Sequence, residues 1–191
     1  MKMHLDNNTD KIETLYQATR HLHHACEEHT IGQAMINCTI SPQEWADWLY
    51  ALKIIHDRID PELPVYAQVS GELTMDLLEL LPIIPNRSIA AENFAQSLTS
   101  TAEIGGAAYV LVGAHRRGGQ ITKRKFKEAG LDLPTNHVNF TDPENAERLV
   151  KSLRPRLELS EHAIKTFETL LKVMDEILSR RIEQSNSEIN N

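Results

Sequence analysis

Apolar residues recur at three- and four-residue spacing along nearly the whole chain, the mark of helices that each bury one stripe. Over residues about 10–36, Ile12, Leu15, Tyr16, Thr19, Leu22, His23 and Cys26 share a face, with His23 near the centre of the stripe. Ser41-Pro42-Gln43-Glu44 reads as a capping box with proline at the first helical position. The stripe behind it is Trp45, Trp48, Leu49, Leu52, Ile55, His56 and Ile59, and Asp60-Pro61 should end that helix. Further helices are predicted over 65–81, from near Ser88, over 101–129 with Gly130 as the stop, from Asp142-Pro143 to an interruption at Pro155, and from Ser160 onward. No run of alternating β-branched residues competes as a sheet. The prediction is an all-α bundle of about seven helices. It would be a single domain over 11–184, with flexible ends at 1–10 and 185–191.

One stretch of this pattern is unusual. Five of the eight glycines (Gly105, Gly106, Gly113, Gly118 and Gly119) fall inside the 101–129 helix. Each costs about 0.5–1 kcal/mol relative to alanine in a helix interior, so bareness must serve close approach or bending. The same helix carries Arg116, Arg117, Lys123, Arg124, Lys125 and Lys127 with no acidic residue among them. In a chain of net charge −7 this is a local basic patch. A solvated helix face and a clamp for anionic groups are both open readings of it.

Composition removes several classes. The overall acidity, and basic residues interleaved with no aromatic but Phe126, argue against nucleic acid. Two cysteines define no disulfide framework. No apolar run reaches the length of a membrane span, and the N-terminus has no signal-peptide core, so a cytoplasmic protein is expected. Gly113-Ala-His-Arg-Arg-Gly118-Gly-Gln lacks the Gly-Lys-Ser/Thr of a phosphate loop, and no Glu-x-x-His supplies a di-iron site.

Histidine is the remaining chemistry. His21, His23 and His24 crowd the first helix, with His21 and His24 rotated towards solvent. Glu27, four residues after His23, can orient its ring as carboxylates orient metal-ligating imidazoles. A packed core histidine is the competing reading, and the expected one for His56.

Ala18-Thr-Arg-His-Leu-His23-His-Ala-Cys-Glu27 resembles the proximal helix of heme oxygenases. Tyr109-Val-Leu-Val-Gly113-Ala-His-Arg-Arg-Gly118-Gly119-Gln120-Ile121 resembles their distal helix, closest to the bacterial phytochrome-associated branch. The resemblance spans roughly residues 12–180 and implies a heme oxygenase-like bundle. It implies His23 as axial iron ligand, steadied by Glu27. Gly113, His115, Gly118 and Gly119 would form the distal wall, and Tyr109, Arg117, Lys151 and Arg154 (with Arg156 a further candidate) would meet heme and its propionates. The implied activity is oxidative opening of heme to biliverdin with release of iron and carbon monoxide, the electrons coming from a ferredoxin or flavin reductase.

The chain departs from the family pattern between Gly113 and Gly118, which are separated by four residues instead of three. Aligned on Gly118-Gly119, His115 takes the place where many members carry an aspartate. Aligned on Gly113, the helix needs one inserted residue, a π-bulge. Such an insertion can set His115 or Arg117 over the iron. Alternatives are therefore a non-catalytic heme-binding or heme-sensing protein on the same fold, and a helical interaction protein with no cofactor.

Overall fold

The computed structural model describes residues 13–189, and all of their regular structure is helical. The expected flexible segment 1–10 and Ile12 lie outside the described residues. The helices are α1 (Leu15–Glu28), α2 (Thr30–Ile36), α3 (Pro42–Ile59), α4 (Ser70–Glu79), α5 (Ile89–Ser97), α6 (Thr101–Ala114), α7 (Gln120–Ala129), α8 (Pro143–Leu153) and α9 (Ser160–Ile189).

Local chemistry sets most of the boundaries. Thr14, Ser41, Ser88, Ser100 and Asp142 each accept an amide from the first turn of the helix they open. Ser41 with Glu44 and Ser100 with Glu103 close full capping boxes. Gly130 ends α7 at φ 68°, a left-handed conformation that suits glycine.

Three boundaries differ from the sequence prediction. The first helix breaks at His29, whose Nδ1 accepts from the Ile31 amide and so caps α2. Gly32 lies so close to the Cys26 carbonyl that a Cβ would come within 2.1 Å of it, which permits the sharp bend. Only Val65–Ala67, a single 3-10 turn, forms in the first part of 65–81, because the backbone amides of Val69 and Ser70 bond to Asp60 Oδ2 and reset the start of α4. At the other end, helix α9 continues through the expected tail to Ile189.

Helix α9 is the spine. Helices α1, α2, α3, α5 and α6 all pack against it, and α8 covers the far side of α6. Apolar burial at Leu49, Ile55, Ile59, Leu111, Phe126, Val173 and Ile177 makes one continuous core, the main source of stability for such a bundle. Gly106 makes the α6–α9 crossing possible: a Cβ there would lie 2.5 Å from His162 Cβ and 2.9 Å from the Ala163 amide nitrogen. Gly105 likewise sits under Leu159. These two glycines serve helix packing.

Between α6 and α7 the helix does not end but widens into one π turn, His115–Gly119. The extra residue between Gly113 and Gly118 is thus absorbed as a π-bulge, the second of the two alignments that the spacing allowed.

Candidate functional site

Helix α1 packs on α9 and α2, burying Ala18 and Thr19, while Leu15 at its start sits with Ala108, Leu153 and Leu159; its other flank is exposed. His23 is on the margin of the buried stripe, not at its centre: its side chain is 56% exposed and only its edge meets the Phe167 ring, centroids 6.0 Å apart. The inward placement expected from the helical wheel fails because, among the described residues, no element covers the His23 flank of α1, while α2 and α9 pack against its other faces. The open flank forms a groove of about 650 Å³ lined by Tyr16, Gln17, Arg20, His21, His23, His24 and Glu27, all from α1.

Glu27 Oε2 lies 3.6 Å from His23 Nδ1 and 3.9 Å from His24 Nδ1, ion-pair range but beyond a hydrogen bond. His24 is held more closely by Glu28, at 3.1 Å. The Nε2 of His23 has no partner among the described residues and is free to take a ligand. One turn further, the Cys26 thiol is pushed up to about 12 by burial and by the charge of Glu27, so it stays protonated and offers no thiolate.

Arg154 stacks its guanidinium over the Tyr16 ring, 5.1 Å from the centroid, at one end of the groove. The Tyr109 phenol from α6 is pushed up by burial and lies within electrostatic reach of Arg154, Arg117 and Tyr16. Residues from α1, α6, α8 and the π turn are thereby brought to one rim. Lys151 is exposed one turn before Arg154, 3.9 Å from Glu147. Arg20, inside the groove, has no acidic partner among the described residues. Sequence reasoning passed over it because arginines on helix surfaces are commonplace.

The distal elements divide. A Cβ at Gly118 would meet nothing within 4 Å, and at Gly113 only Val150 Cγ1 at 3.5 Å. Gly119 is the reverse: a Cβ there would come 2.5 Å from Val138 Cγ1, so its bareness serves packing. Of the basic patch, Arg117 pairs with Glu147 at 2.8 Å, Lys123 donates to Asn139 and Lys125 to the Ile36 carbonyl. Arg116 lies over the Phe140 ring. Most of the patch is therefore tied into structure rather than arrayed as a clamp.

His115 points into the core, not over the groove. Its Nε2 lies 3.0 Å from His56 Nε2, and its ring meets that of His137 edge-on at 5.1 Å. His56 Nδ1–H donates to Asp60 at 2.8 Å, and His137 Nδ1–H donates to Asp76 at 2.5 Å. The result is a buried line, Asp60–His56–His115–His137–Asp76, drawn from α3, the π turn, α4 and the turn at Asn136–Val138. Burial acts to raise the Asp60 pKa. Hydrogen bonds from His56, Ser70 and Val69 outweigh it and hold the carboxyl below its usual range. His115 is held well below the ordinary histidine value by burial, then by the two neighbouring imidazoles. The His56–Asp60 half was legible as an i,i+4 pair on one helix; the His137–Asp76 half spans 61 residues and carried no sequence signal.

No family model matches this chain, and no curated protein does. Solved structures do match. A heme oxygenase from the cyanobacterium Synechocystis, crystallised in complex with heme, superimposes with TM-score 0.75 at 14% identity, over 93% of this chain and 96% of that one. The heme oxygenase of Leptospira interrogans superimposes with TM-score 0.68 at 17% identity, over 85% and 96%. The chain has the heme oxygenase fold.

Proposed function

We propose that this protein binds heme through the His23 imidazole and opens it oxidatively to biliverdin, releasing iron and carbon monoxide. The observation that carries this reading is the His23–Glu27 pair, open on the groove of α1 in a chain with this fold. The residues present fit the group on chemistry. There is an accessible imidazole nitrogen at His23, an aromatic ring beside it at Phe167, cations at Arg20 and Arg154, and a bare outward position at Gly118. Among the described residues no three or more His, Cys, Asp or Glu side chains are placed so that they could hold a metal ion together.

Bound heme supplies a redox-active iron and a ring that is itself the substrate. His23 presents Nε2 while Glu27 draws on Nδ1, orienting the ring and raising its basicity. Phe167 limits rotation of the imidazole from below. Arg20 and Arg154 attract carboxylates to the rim. Gly118 leaves the outward side of the π turn without a side chain. Electrons are supplied by a ferredoxin or flavin reductase in the cytoplasm. No described helix is long and apolar enough to cross a membrane.

A second reading, a non-catalytic heme-binding or heme-sensing protein, draws support from the π turn. Its outward positions are Ala114, Arg117 and Gly118, with no carboxylate or hydroxyl among them. Hemin titration of the purified chain is the test. A sharp Soret band lost in His23→Ala supports axial ligation, and equal binding by that variant refutes it. With reductant and oxygen, conversion of the band into a bilin spectrum marks the enzyme, and an unchanged band marks the sensor.

A further inference from the structure

The buried line of histidines is not needed to build a helical bundle, and its position is specific. The π turn is gripped from two sides. From α3, Asp60 fixes His56, and His56 meets His115 across 3.0 Å. From α4, Asp76 accepts the amides of Asn136 and His137 and the His137 ring, which seats the turn at Asn136–Val138. That turn then lays Val138 over Gly119, accepts Gln120 Nε2 at the Val138 carbonyl and Lys123 at Asn139, and sets the His137 ring against His115. The opposite side of the same π turn is the exposed face with Ala114, Arg117 and Gly118. A π turn inserts one residue into a helix, so its rotation is set by what grips it, and here the buried grips converge on His115 and its neighbours.

We infer that His115 is a positioning residue: its neutral ring, held by His56 and His137, locks the rotation of the π turn that turns Gly118 and Arg117 outward. The inference rests on the heme reading only for what that outward face meets.

The hydrogen-bond pattern makes this lock proton-sensitive. Both Nδ1 atoms facing carboxylates are N–H donors, so a single proton occupies the gap between His56 Nε2 and His115 Nε2. His115 itself touches no carboxylate, because His56 and His137 stand between it and Asp60 and Asp76. From α8 the nearest charge, Glu147, is engaged outside by Arg117. Arg116, adjacent in the turn, adds a further cation. A proton added to His115 therefore creates a cation with no counter-ion in direct contact, at a position 4% exposed. The closed turn excludes that proton, whereas a locally opened turn accepts it in water. Acid should favour opening.

Hydrogen exchange of the apoprotein, followed from about pH 7.5 to about pH 5, reads this without any cofactor. In the wild type, protection over residues 114–121 is expected to fall by up to about tenfold per pH unit below 6.5, while protection in the middle of α9 holds. His115→Gln keeps a donor for His56 but cannot titrate. It should retain wild-type protection at pH 7.5 and lose the pH slope. His115→Leu, which keeps the volume without the hydrogen bond, should lose about tenfold protection over 114–121 at every pH. A pH-independent wild type, or the same slope in His115→Gln, overturns the inference, and the wild-type titration decides even if a variant fails to fold. Hemin affinity of His115→Leu, expected to fall about tenfold at pH 7.5 with the Soret position unchanged, then tests the link to the outward face. If hemin does not bind the wild type, the heme reading fails while the exchange result still judges the lock.

Discussion

Two histidine clusters of opposite character define this molecule. His21, His23 and His24 sit within a single turn of α1 and are exposed, His23 loosely engaged by Glu27 and His24 paired with Glu28. His56, His115 and His137 come from three distant segments and are buried; Asp60 and Asp76 grip the outer two at hydrogen-bond distance, and those two flank His115. The first cluster leaves a ring nitrogen free and costs the fold little, which suits a group that must accept a ligand. The second has its carboxylate ends satisfied by hydrogen bonds and its middle ring kept neutral, which suits a group that must hold backbone in place. Sequence proximity marked the less constrained of the two.

Substitutions should separate the clusters sharply. The largest expected effect is functional: His23→Ala should abolish the coordinated Soret band yet change the unfolding free energy in urea melts by no more than about 0.5 kcal/mol, as for other exposed sites. Loss of stability comparable to a core variant would show that α1 depends on this ring. Asp76→Ala should behave in the opposite way. Its carboxylate accepts three buried donors, so removing it should destabilise by about 3–5 kcal/mol in urea melts. A cost below about 1 kcal/mol would mean that water replaces it and that the buried line is looser than its distances imply.

The glycines extend the comparison from side chains to bare backbone. Gly106→Ala should destabilise by about 1–3 kcal/mol, since its Cβ would meet α9 backbone. Acid offers a smaller, graded effect. The His115 pKa is depressed in the fold, so above 6.5 neither folded nor unfolded protein charges this ring and no stability is lost. Below 6.5 the unfolded chain takes up a proton that the fold refuses. Stability should then decline by up to about 1.4 kcal/mol per pH unit, and the decline should be absent in His115→Gln. Smallest is Gly118→Ala. Its Cβ meets nothing, so thermal melts should show a gain of about 0.5–1 kcal/mol from helix propensity. A loss instead would place an unseen neighbour on the outward face of the π turn.

How far the sequence could be read differs along the chain. Helices α3 and α8 begin where their capping chemistry says and α9 at the expected Ser160, because Ser41, Asp142 and the stripes behind them are local signals. The site was half legible. His23 with Glu27 was found from a one-turn spacing, but its side of the stripe was misjudged because exposure depends on whether a second helix arrives. An insertion was expected to set His115 or Arg117 over the iron; the structure buries His115 between His56 and His137 and leaves Arg117 exposed. The inserted residue was legible in the spacing of Gly113 and Gly118, but which way it turns His115 depends on His56 and His137, which only the fold brings there. Gly119 was assigned to the ligand side for the same reason, and it packs under Val138.

By itself the sequence determined what depends on neighbours within a turn or two: the helices, their caps, the extra residue between Gly113 and Gly118, and the His23–Glu27 pair. Tertiary structure alone decided which flank of α1 stays open, which glycines are packed and which bare, and that His56, His115 and His137 meet. The physical reason is range. Backbone hydrogen bonds and caps close over three or four residues. Burial and the pairing of Asp76 with His137 depend on chain segments that only the folded bundle brings together.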